Sequence, residues 1–159
     1  MTIDPDSFRN VLGRFASGIT IITAIDSDGR DTGMTASAFC SVSLNPPLVQ
    51  ACVDHAASMH HTLLSVERFG VSVLAAEQEA LARRFAAVHS AHRFDGIGYT
   101  RGENRVVLLD DALAHLECHL VARHSAGDHT LFIGEVERAS TRDARPLLYF
   151  RGGYAQLER

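Results

Sequence analysis

The sequence predicts a mainly β protein, built as a closed or nearly closed antiparallel barrel with a few α-helices. Three observations predict this class. Short stretches rich in β-branched residues recur along the chain, turn residues separate them at short intervals, and only two or three segments have a helical apolar period of about 3.6 residues. Short connections between antiparallel strands favour a barrel over a parallel sheet, in which helices alternate regularly with strands.

The N-terminal segment DPDSFRNVLGRFASG predicts a helix. Asp4 can cap it, and Pro5 suits the first helical position because the amide that proline lacks has no intrahelical partner there. Gly18 predicts its end. Apolar residues recur at the spacing i, i+3, i+4 and i+7 and predict one apolar face, formed by Phe8, Val11, Leu12 and Phe15.

Two strands and a hairpin turn follow. ITIITAI predicts a strand at residues 19–25, DSDGR a hairpin turn, and TGMTASAFCSVS a returning strand at residues 32–43. The prolines of LNPP end this strand because proline donates no hydrogen bond to a sheet. LVQACV, at residues 48–53, then predicts a third strand.

The rest of the chain alternates between helices, turns and strands. Gly127 and Asp128 join two long segments that predict an antiparallel pair. The predicted elements are a helix at 58–69, a strand at 70–76, a helix at 77–87, turns and short pieces at 88–111, strands at 112–126 and 129–140, and a last strand at 146–154.

Composition predicts a single soluble domain over residues 1–159. The net charge of −4 at pH 7 provides no electrostatic basis for binding nucleic acid or an anionic membrane. No stretch of about 18 apolar residues predicts a membrane span, and the polar N-terminus does not resemble a signal peptide. Cys40, Cys52 and Cys118 form no CxxC pair, which argues against a disulfide framework and predicts a cytoplasmic protein.

The strand predicted at residues 32–43 is the first candidate site. Alternation places one set of mostly hydroxyl residues on one side and one set of apolar residues on the core side. These sets are Thr35, Ser37, Phe39, Ser41 and Ser43, and Met34, Ala36, Ala38, Cys40 and Val42. The hydroxyl row can bind a polar ring edge or a phosphate, or it is simply the solvent side of a barrel strand.

The segment VDHAASMHHT, at residues 53–62, is the second candidate. It lies at the start of a predicted helix, where unpaired amides and the helix dipole bind anions. Ser58 acting as an ordinary helix cap is the alternative. His129, directly before the apolar strand TLFI, is either a turn residue or a ligand-facing side chain at a barrel mouth.

Several other chemistries lack support in the sequence. His115, Glu117 and His119 share a strand face, but a zinc site needs roughly three or four converging ligands, so we predict no metal. No GxSxG elbow occurs, and GIGYTRG is not a dinucleotide fingerprint because its last glycine comes one residue late.

Five segments in order carry a family resemblance: FASGITIITA, GMTASAFCSVSLNPPLVQACVD, FGVSVLAAEQEALARRFA, AGDHTLFIGEV and PLLYFRGGY. Over residues 8–154 the chain resembles the short-chain flavin reductases, the small components of two-component flavin-dependent monooxygenases. The resemblance implies an FMN-binding split β-barrel that forms a homodimer, with flavin near the subunit interface. Cys40 and Met59 depart from it, because related sequences often have hydroxyl residues there.

The resemblance also implies a site. His129 would lie in the nicotinamide pocket, as the candidate catalytic residue that orients this ring. Flavin would contact Thr35, Ala36, Ser37, Ala38, Arg84 and Phe85, with Val53, Asp54, Ser58 and His60 toward the ribityl phosphate. The pyridine nucleotide would be held by Arg151, Gly152, Gly153 and Tyr154.

The implied activity is reduction of FAD or FMN by NADH, or by NADPH, with delivery of reduced flavin to a separate monooxygenase. Hydride transfer requires close stacking of two cofactor rings and no strong protein acid or base, which suits a sequence without a recognisable catalytic dyad or triad. A non-catalytic split-barrel module that binds flavin or haem is the alternative. A pyridoxamine-phosphate oxidase-like enzyme shares the barrel but needs a basic cluster that we do not find.

Overall fold

The computed structural model describes residues 1–87 and 91–158. The helices of this part are α1 (Pro5–Leu12), α2 (Ser58–Ser65) and α3 (Glu79–Ala86), and a 3₁₀ turn (Ala76–Gln78) precedes α3. The strands are β1 (Ser17–Gly18), β2 (Thr20–Ile25), β3 (Asp31–Ala36), β4 (Phe39–Leu44), β5 (Pro47–Asp54), β6 (Arg68–Val73), β7 (Tyr99–Arg101), β8 (Val107–Leu109), β9 (Ala114–Ala126), β10 (His129–Thr141), β11 (Leu147–Phe150) and β12 (Gly153–Gln156).

Seven strands form one antiparallel sheet in the order β3-β2-β6-β9-β10-β5-β4. Its two edge strands, β3 and β4, follow one another in the chain with only residues 37–38 between them. Three residue steps from Ala36 to Phe39 span at most about 11 Å, so the two edges of the sheet must meet there. The sheet therefore curls into a barrel, and the predicted mainly β class is confirmed.

Strand β2 is buried from Thr20 to Ala24 because both of its faces are covered. Ile22 and Ala24 belong to the larger core cluster, with the fully buried rings of Phe69 and Phe132. Ile21 belongs to a second cluster that includes side chains of α3. The β-branched run that predicted this strand thus reflects burial on both sides.

The strand predicted at residues 32–43 is wrong as a single strand. The structure breaks it at residues 37–38 into β3 and β4, which lie at opposite edges of the sheet. A register shift between Ser41 and Ser43 then interrupts the alternation of β4. Cys40 and Val42 are exposed, so the prediction that they face the core is also wrong.

Helix α1 begins as predicted and ends early. The Asp4 carboxylate accepts hydrogen bonds from the amides of Asp6 and Ser7, at 3.1 and 2.9 Å. Gly13 caps the other end, and Gly18 instead lies in β1, which pairs with β11. The predicted apolar face has no core to pack on, since α1 contains no buried residue and Phe15 is 81% exposed.

The long antiparallel pair is confirmed as β9 and β10. Gly127 has φ +63°, and Asp128 completes the two-residue turn, which suits glycine at the first position of a type II′ hairpin. The helix predicted at 58–69 ends at Ser65, because Arg68 already begins β6. The helix predicted at 77–87 corresponds to α3.

The last predicted strand, at 146–154, is instead the hairpin of β11 and β12. Its turn contains Arg151 and Gly152, both with positive φ (52° and 79°). Within the segment predicted as turns and short pieces, β7 and β8 form a small hairpin. Residues 88–90 of that segment lie outside the described residues.

Candidate functional site

Two cavities lie on either side of the C-terminal end of α3, and both are lined by Ala86 and Ala87. One, here named the α2–α3 cavity, has a volume of about 440 Å³. The other, here named the C-terminal cavity, has a volume of about 350 Å³. Both volumes lie in the range typical of small-molecule sites, roughly 300–1,000 Å³.

The α2–α3 cavity brings together three predicted site residues from distant parts of the chain: Thr35, Ser58 and Phe85. Its wall consists of part of β3, the turn before α2 together with the first residue of that helix, the end of α3, and Arg93. The remaining lining residues are Met34, Ala56, Ala57, Ala86 and Ala87.

The start of α2 presents helix amides to this cavity. Ala57 is the N-cap, and no side chain among the described residues caps the helix. The first amides of a helix have no intrahelical acceptor and form the positive end of its dipole, so they bind anions. The alternative interpretation of Ser58 as the cap is wrong, because Ser58 is the first helical residue. Asp54 instead orders the preceding turn, accepting a hydrogen bond from the Ala56 amide at 2.8 Å.

α3 packs directly on β3 and forms the wall of the α2–α3 cavity opposite α2. The Thr35 hydroxyl donates to the Ala82 carbonyl at 2.6 Å, so the fold itself uses this predicted ligand group. Phe85 is fully buried and packs edge-on against Phe94, with ring centroids 5.0 Å apart. A Cβ at position 33 would lie 2.7 Å from the Phe85 ring, so this approach requires Gly33.

Arg84 does not line the cavity. Its Nη2 lies 2.5 Å from the His92 carbonyl and 2.6 Å from the Asp95 carbonyl, so it holds the loop after α3. Arg93 lines the cavity instead, and its buried guanidinium donates to the carbonyls of Gly33 and Ala87. Burial lowers the pKa of Arg93. The sequence did not reveal Arg93 as a site residue, because it lies in a segment without a recognisable pattern.

The other predicted flavin contacts differ in exposure. Ala36 and Val53 are buried in the larger core cluster, so only their backbone atoms can border a ligand. Ser37 and Ala38 are exposed at the junction between β3 and β4. Met59, which stands where related sequences often have a hydroxyl residue, lies in the same core and is 2% exposed.

His60 belongs to a small polar cluster. Its Nε2 lies 2.9 Å from the buried Thr130 hydroxyl, and the Nε2 of His55 lies 3.1 Å from the same oxygen. A hydroxyl both donates and accepts, so it can satisfy two neutral imidazoles. Burial, followed by the neighbouring His55 and His61, lowers the pKa of His60.

His129 is the first residue of β10 and pairs with Asp54 of β5. Its Nδ1 lies 2.6 Å from the carboxylate of Asp128, and this hydrogen bond lowers the pKa of Asp128. The contact engages Nδ1 and leaves Nε2 for a ligand. His129 is partly exposed but lines neither cavity, although its partner Asp54 contacts the cavity residue Ala56.

The C-terminal cavity contains three of the four residues of the RGGY segment: Gly152, Gly153 and Tyr154. The guanidinium of Arg83 lies over the Tyr154 ring, 4.8 Å from its centroid. Burial raises the pKa of Tyr154. Arg151 is not among the lining residues. The sequence did not predict Arg83 as part of this site, because the RGGY motif that predicted the region lies at the C-terminus and Arg83 lies in α3.

Residues 12–158 match the family model of the flavin reductase like domain. The chain belongs to the flavin reductase like domain family. This membership confirms the resemblance stated from the five sequence segments.

Curated members of the flavin reductase family cover nearly the whole chain. An NADH-dependent flavin reductase from a Rhodococcus species is 42% identical, over 98% of this chain and 88% of the relative. The reductase subunit of a flavin-dependent monooxygenase from Rhodococcus jostii is 40% identical, over 98% of this chain and 80% of the relative.

A solved flavin reductase has the same fold. The NADH:FAD oxidoreductase of Streptomyces globisporus, in complex with NAD and FAD fragments, superimposes with a TM-score of 0.91 at 40% identity. The match covers 99% of this chain and 97% of that one. The split barrel implied by the resemblance is therefore confirmed.

Residues 1–87 and 91–158 of this flavin reductase family member contain no group of three or more His, Cys, Asp or Glu side chains placed to hold a metal ion. None of their helices has the length and apolar character needed to cross a membrane.

Proposed function

We propose that the chain is an NADH-dependent flavin reductase that reduces FAD or FMN and supplies the reduced flavin to a separate flavin-dependent monooxygenase. The observation that carries this proposal is the pair of neighbouring cavities at the end of α3, each with a volume typical of a small-molecule site. The names of the curated relatives support the same activity, because they are NADH-dependent flavin reductases and a monooxygenase reductase subunit.

The residues around the α2–α3 cavity suit a flavin. Met34 provides an apolar contact for a ring system, whereas the uncapped amides at Ser58 provide donors for a phosphate. We propose that the residues at the β3–β4 junction, with Ser37 and Ala38 exposed, border the flavin ring.

The C-terminal cavity suits the pyridine nucleotide. We propose that Gly152, Gly153 and Tyr154 hold it, with Arg83 as a further cationic group on the same wall. Bound flavin supplies the hydride acceptor for the nicotinamide, so the protein has only to position two rings in close contact. Among the predicted residues, His129 is proposed to orient the nicotinamide through Nε2, because Asp128 engages Nδ1.

We also propose that residues 1–159 form one domain that acts as a homodimer in the cytoplasm. The unpacked apolar face of α1 supports an interface between two copies, since such faces mark association sites. The free thiols of Cys40, Cys52 and Cys118 support a reducing compartment.

The deciding experiment mixes purified protein with NADH and either FMN or FAD and follows the absorbance band of NADH. We expect oxidation of NADH that depends on added flavin, with NADPH a poorer donor. Binding of flavin without NADH oxidation would contradict the proposal and favour the non-catalytic module. Steady-state kinetics with both flavins and both nucleotides then establish the preferred pair.

A further inference from the structure

A further cavity, here named the β9–β10 cavity, lies against the paired strands β9 and β10 and has a volume of about 190 Å³. Ser140 pairs with His115, and Arg138 pairs with Glu117, so alternate residues of both strands meet on one face of the sheet. Cys118 packs in the larger core on the other face. The described lining has no residue in common with the two cavities at α3 and consists of Leu108, His115, Glu117, Arg138, Ala139 and Ser140.

Glu117 is a buried carboxylate without a cationic partner. It is 6% exposed, and none of the ion pairs formed within residues 1–87 and 91–158 includes it. Its Oε2 accepts a hydrogen bond from the Asn104 amide at 2.8 Å. Its Oε1 accepts none from the described residues and is not fully enclosed, so this oxygen is open to the cavity. A buried carboxylate with a free oxygen favours a cation beside it.

Two other polar groups of the cavity offer acceptors. The Nε2 of His115 lies 2.7 Å from the Leu109 carbonyl, which can only accept, so Nε2 carries the proton. In the neutral ring Nδ1 is then an acceptor. The Ser140 hydroxyl lies 3.4 Å from that Nδ1 and can also accept from a ligand. These groups suit a ligand that carries several N–H donors.

The charge and the size of the cavity restrict the ligand further. Arg138 pairs with Glu103 at 2.9 Å, so its charge is already compensated and that of Glu117 is not. The described residues contain no group of side chains suited to a metal ion, which leaves an organic cation. The volume is below the range of roughly 300–1,000 Å³ that is typical of drug-sized ligands, so the cation must be small. Leu108 and Ala139 provide apolar contacts for a short alkyl chain.

We propose that the β9–β10 cavity binds a small primary alkylammonium ion. Oε1 of Glu117 accepts one N–H group of the ammonium, and Nδ1 of His115 and the Ser140 hydroxyl accept the others. The inference does not depend on the function proposed above, because this cavity has no part in the proposed reduction of flavin.

The test titrates the full chain with n-butylammonium chloride at about pH 8, where the amine is protonated and histidine in general is neutral. The Asn104 amide donates to Glu117, so its NMR signal reports occupancy of the cavity. We expect a saturable shift of this signal with n-butylammonium. We expect none with 1-butanol, which lacks the charge, or with sodium chloride at the same ionic strength. No response to n-butylammonium, or an equal response to 1-butanol or sodium chloride, would overturn the proposal.

Glu117→Gln removes the charge and keeps an oxygen that can accept from the Asn104 amide. We expect the dissociation constant of n-butylammonium to rise by at least about tenfold, the loss expected for a charge-assisted hydrogen bond. Glu135→Gln is the matched control, because it removes the same charge from β10 outside the described lining of the cavity. It should keep the wild-type affinity. Equal affinities of Glu117→Gln and wild type would contradict the assignment of the ammonium to Glu117.

Ser140→Ala provides an independent measurement if Glu117→Gln does not fold. Ser140 is exposed, so its hydroxyl can be removed without disturbing the core. We expect the dissociation constant of n-butylammonium to rise about three- to tenfold, because one hydrogen bond is lost. An unchanged dissociation constant would overturn the placement of the ammonium ion in this cavity.

Discussion

His60 shares the Thr130 hydroxyl with His55, and burial makes protonation of His60 unfavourable in the folded chain. His60 has a pKa below its ordinary value of 6.5 because of burial and two neighbouring imidazoles. Below pH 6.5 the unfolded chain therefore binds a proton at His60 that the folded chain does not. The stability that neutral His60 contributes is complete above that pH and is lost as the pH falls toward its lower folded pKa.

We predict that the free energy of unfolding decreases as the pH falls from about 7 to about 5, and that His60→Gln makes this decrease shallower. Urea unfolding across that range measures both slopes. His124→Gln, which removes an exposed imidazole, is the control and should leave the slope unchanged. An identical slope in His60→Gln and wild type would contradict the assignment of this pH dependence to His60.

His129 is expected to affect binding of the pyridine nucleotide more than binding of the flavin. We predict that His129→Ala raises the KM for NADH about three- to tenfold, because one hydrogen bond to the nicotinamide is lost. The dissociation constant of flavin should change less. Asp128→Asn, which keeps an acceptor for Nδ1, should have a smaller effect. An unchanged KM for NADH in His129→Ala would refute the proposed role.

Individual residues also show where sequence reasoning is weakest. Arg84 and Arg93 are nine positions apart, and nothing in their immediate neighbours reveals which one meets a cavity. The choice depends on contacts across the fold, such as the hydrogen bond from Arg93 to the carbonyl of Gly33. The local sequence therefore did not predict which of the two arginines lines the cavity.

Strand β10 packs so closely on β6 and β9 that one position tolerates only glycine. A Cβ at Gly134 would lie 2.5 Å from the ring of Phe69 and 3.0 Å from Cys118 Cβ. Phe69 is fully buried in the larger core cluster. One of the two register shifts of β10 against β9 falls at this same position.

We predict that Gly134→Ala lowers the free energy of unfolding by about 1–3 kcal/mol, the range for overpacking a close-packed core. Chemical denaturation measures this loss. Gly18→Ala is the matched control, because a Cβ at Gly18 meets nothing within 4 Å. Equal stability of the two variants would contradict the close packing of β10 on Phe69.

Elements with strong local signals were predicted well. The turn at Gly127 and Asp128 and the cap at Asp4 both act through neighbouring backbone groups, so the sequence reveals them. The segment at residues 32–43 was predicted poorly, because its break at residues 37–38 serves closure of the barrel. No glycine or proline marks that break.

The apolar face of α1 is exposed and packs on no core among the described residues. Phe8, Val11 and Leu12 are each at least half exposed. A homodimer that covers this face would remove apolar surface from water, which is the main driving force of association.

We predict that Val11→Glu weakens the proposed homodimer, because a charge in an apolar interface must be desolvated on association. Sedimentation over a range of protein concentrations measures the change. Asn10→Glu introduces the same charge on the opposite face of α1 and should leave the association unchanged. Equal behaviour of the two variants would argue against this face as the interface.

The sequence by itself determined the mainly β class, the long hairpin of β9 and β10, and the flavin reductase family, because these depend on local turn chemistry, side-chain alternation and ordered motifs. Only the tertiary structure decided that Thr35 anchors α3, that His60 shares a hydroxyl with His55, and that Arg93 rather than Arg84 lines the cavity. Each of these contacts joins residues 47 to 75 positions apart, or depends on such a contact. Such distant groups meet only because elements far apart in the sequence pack together in the fold, and a local sequence pattern does not encode that packing.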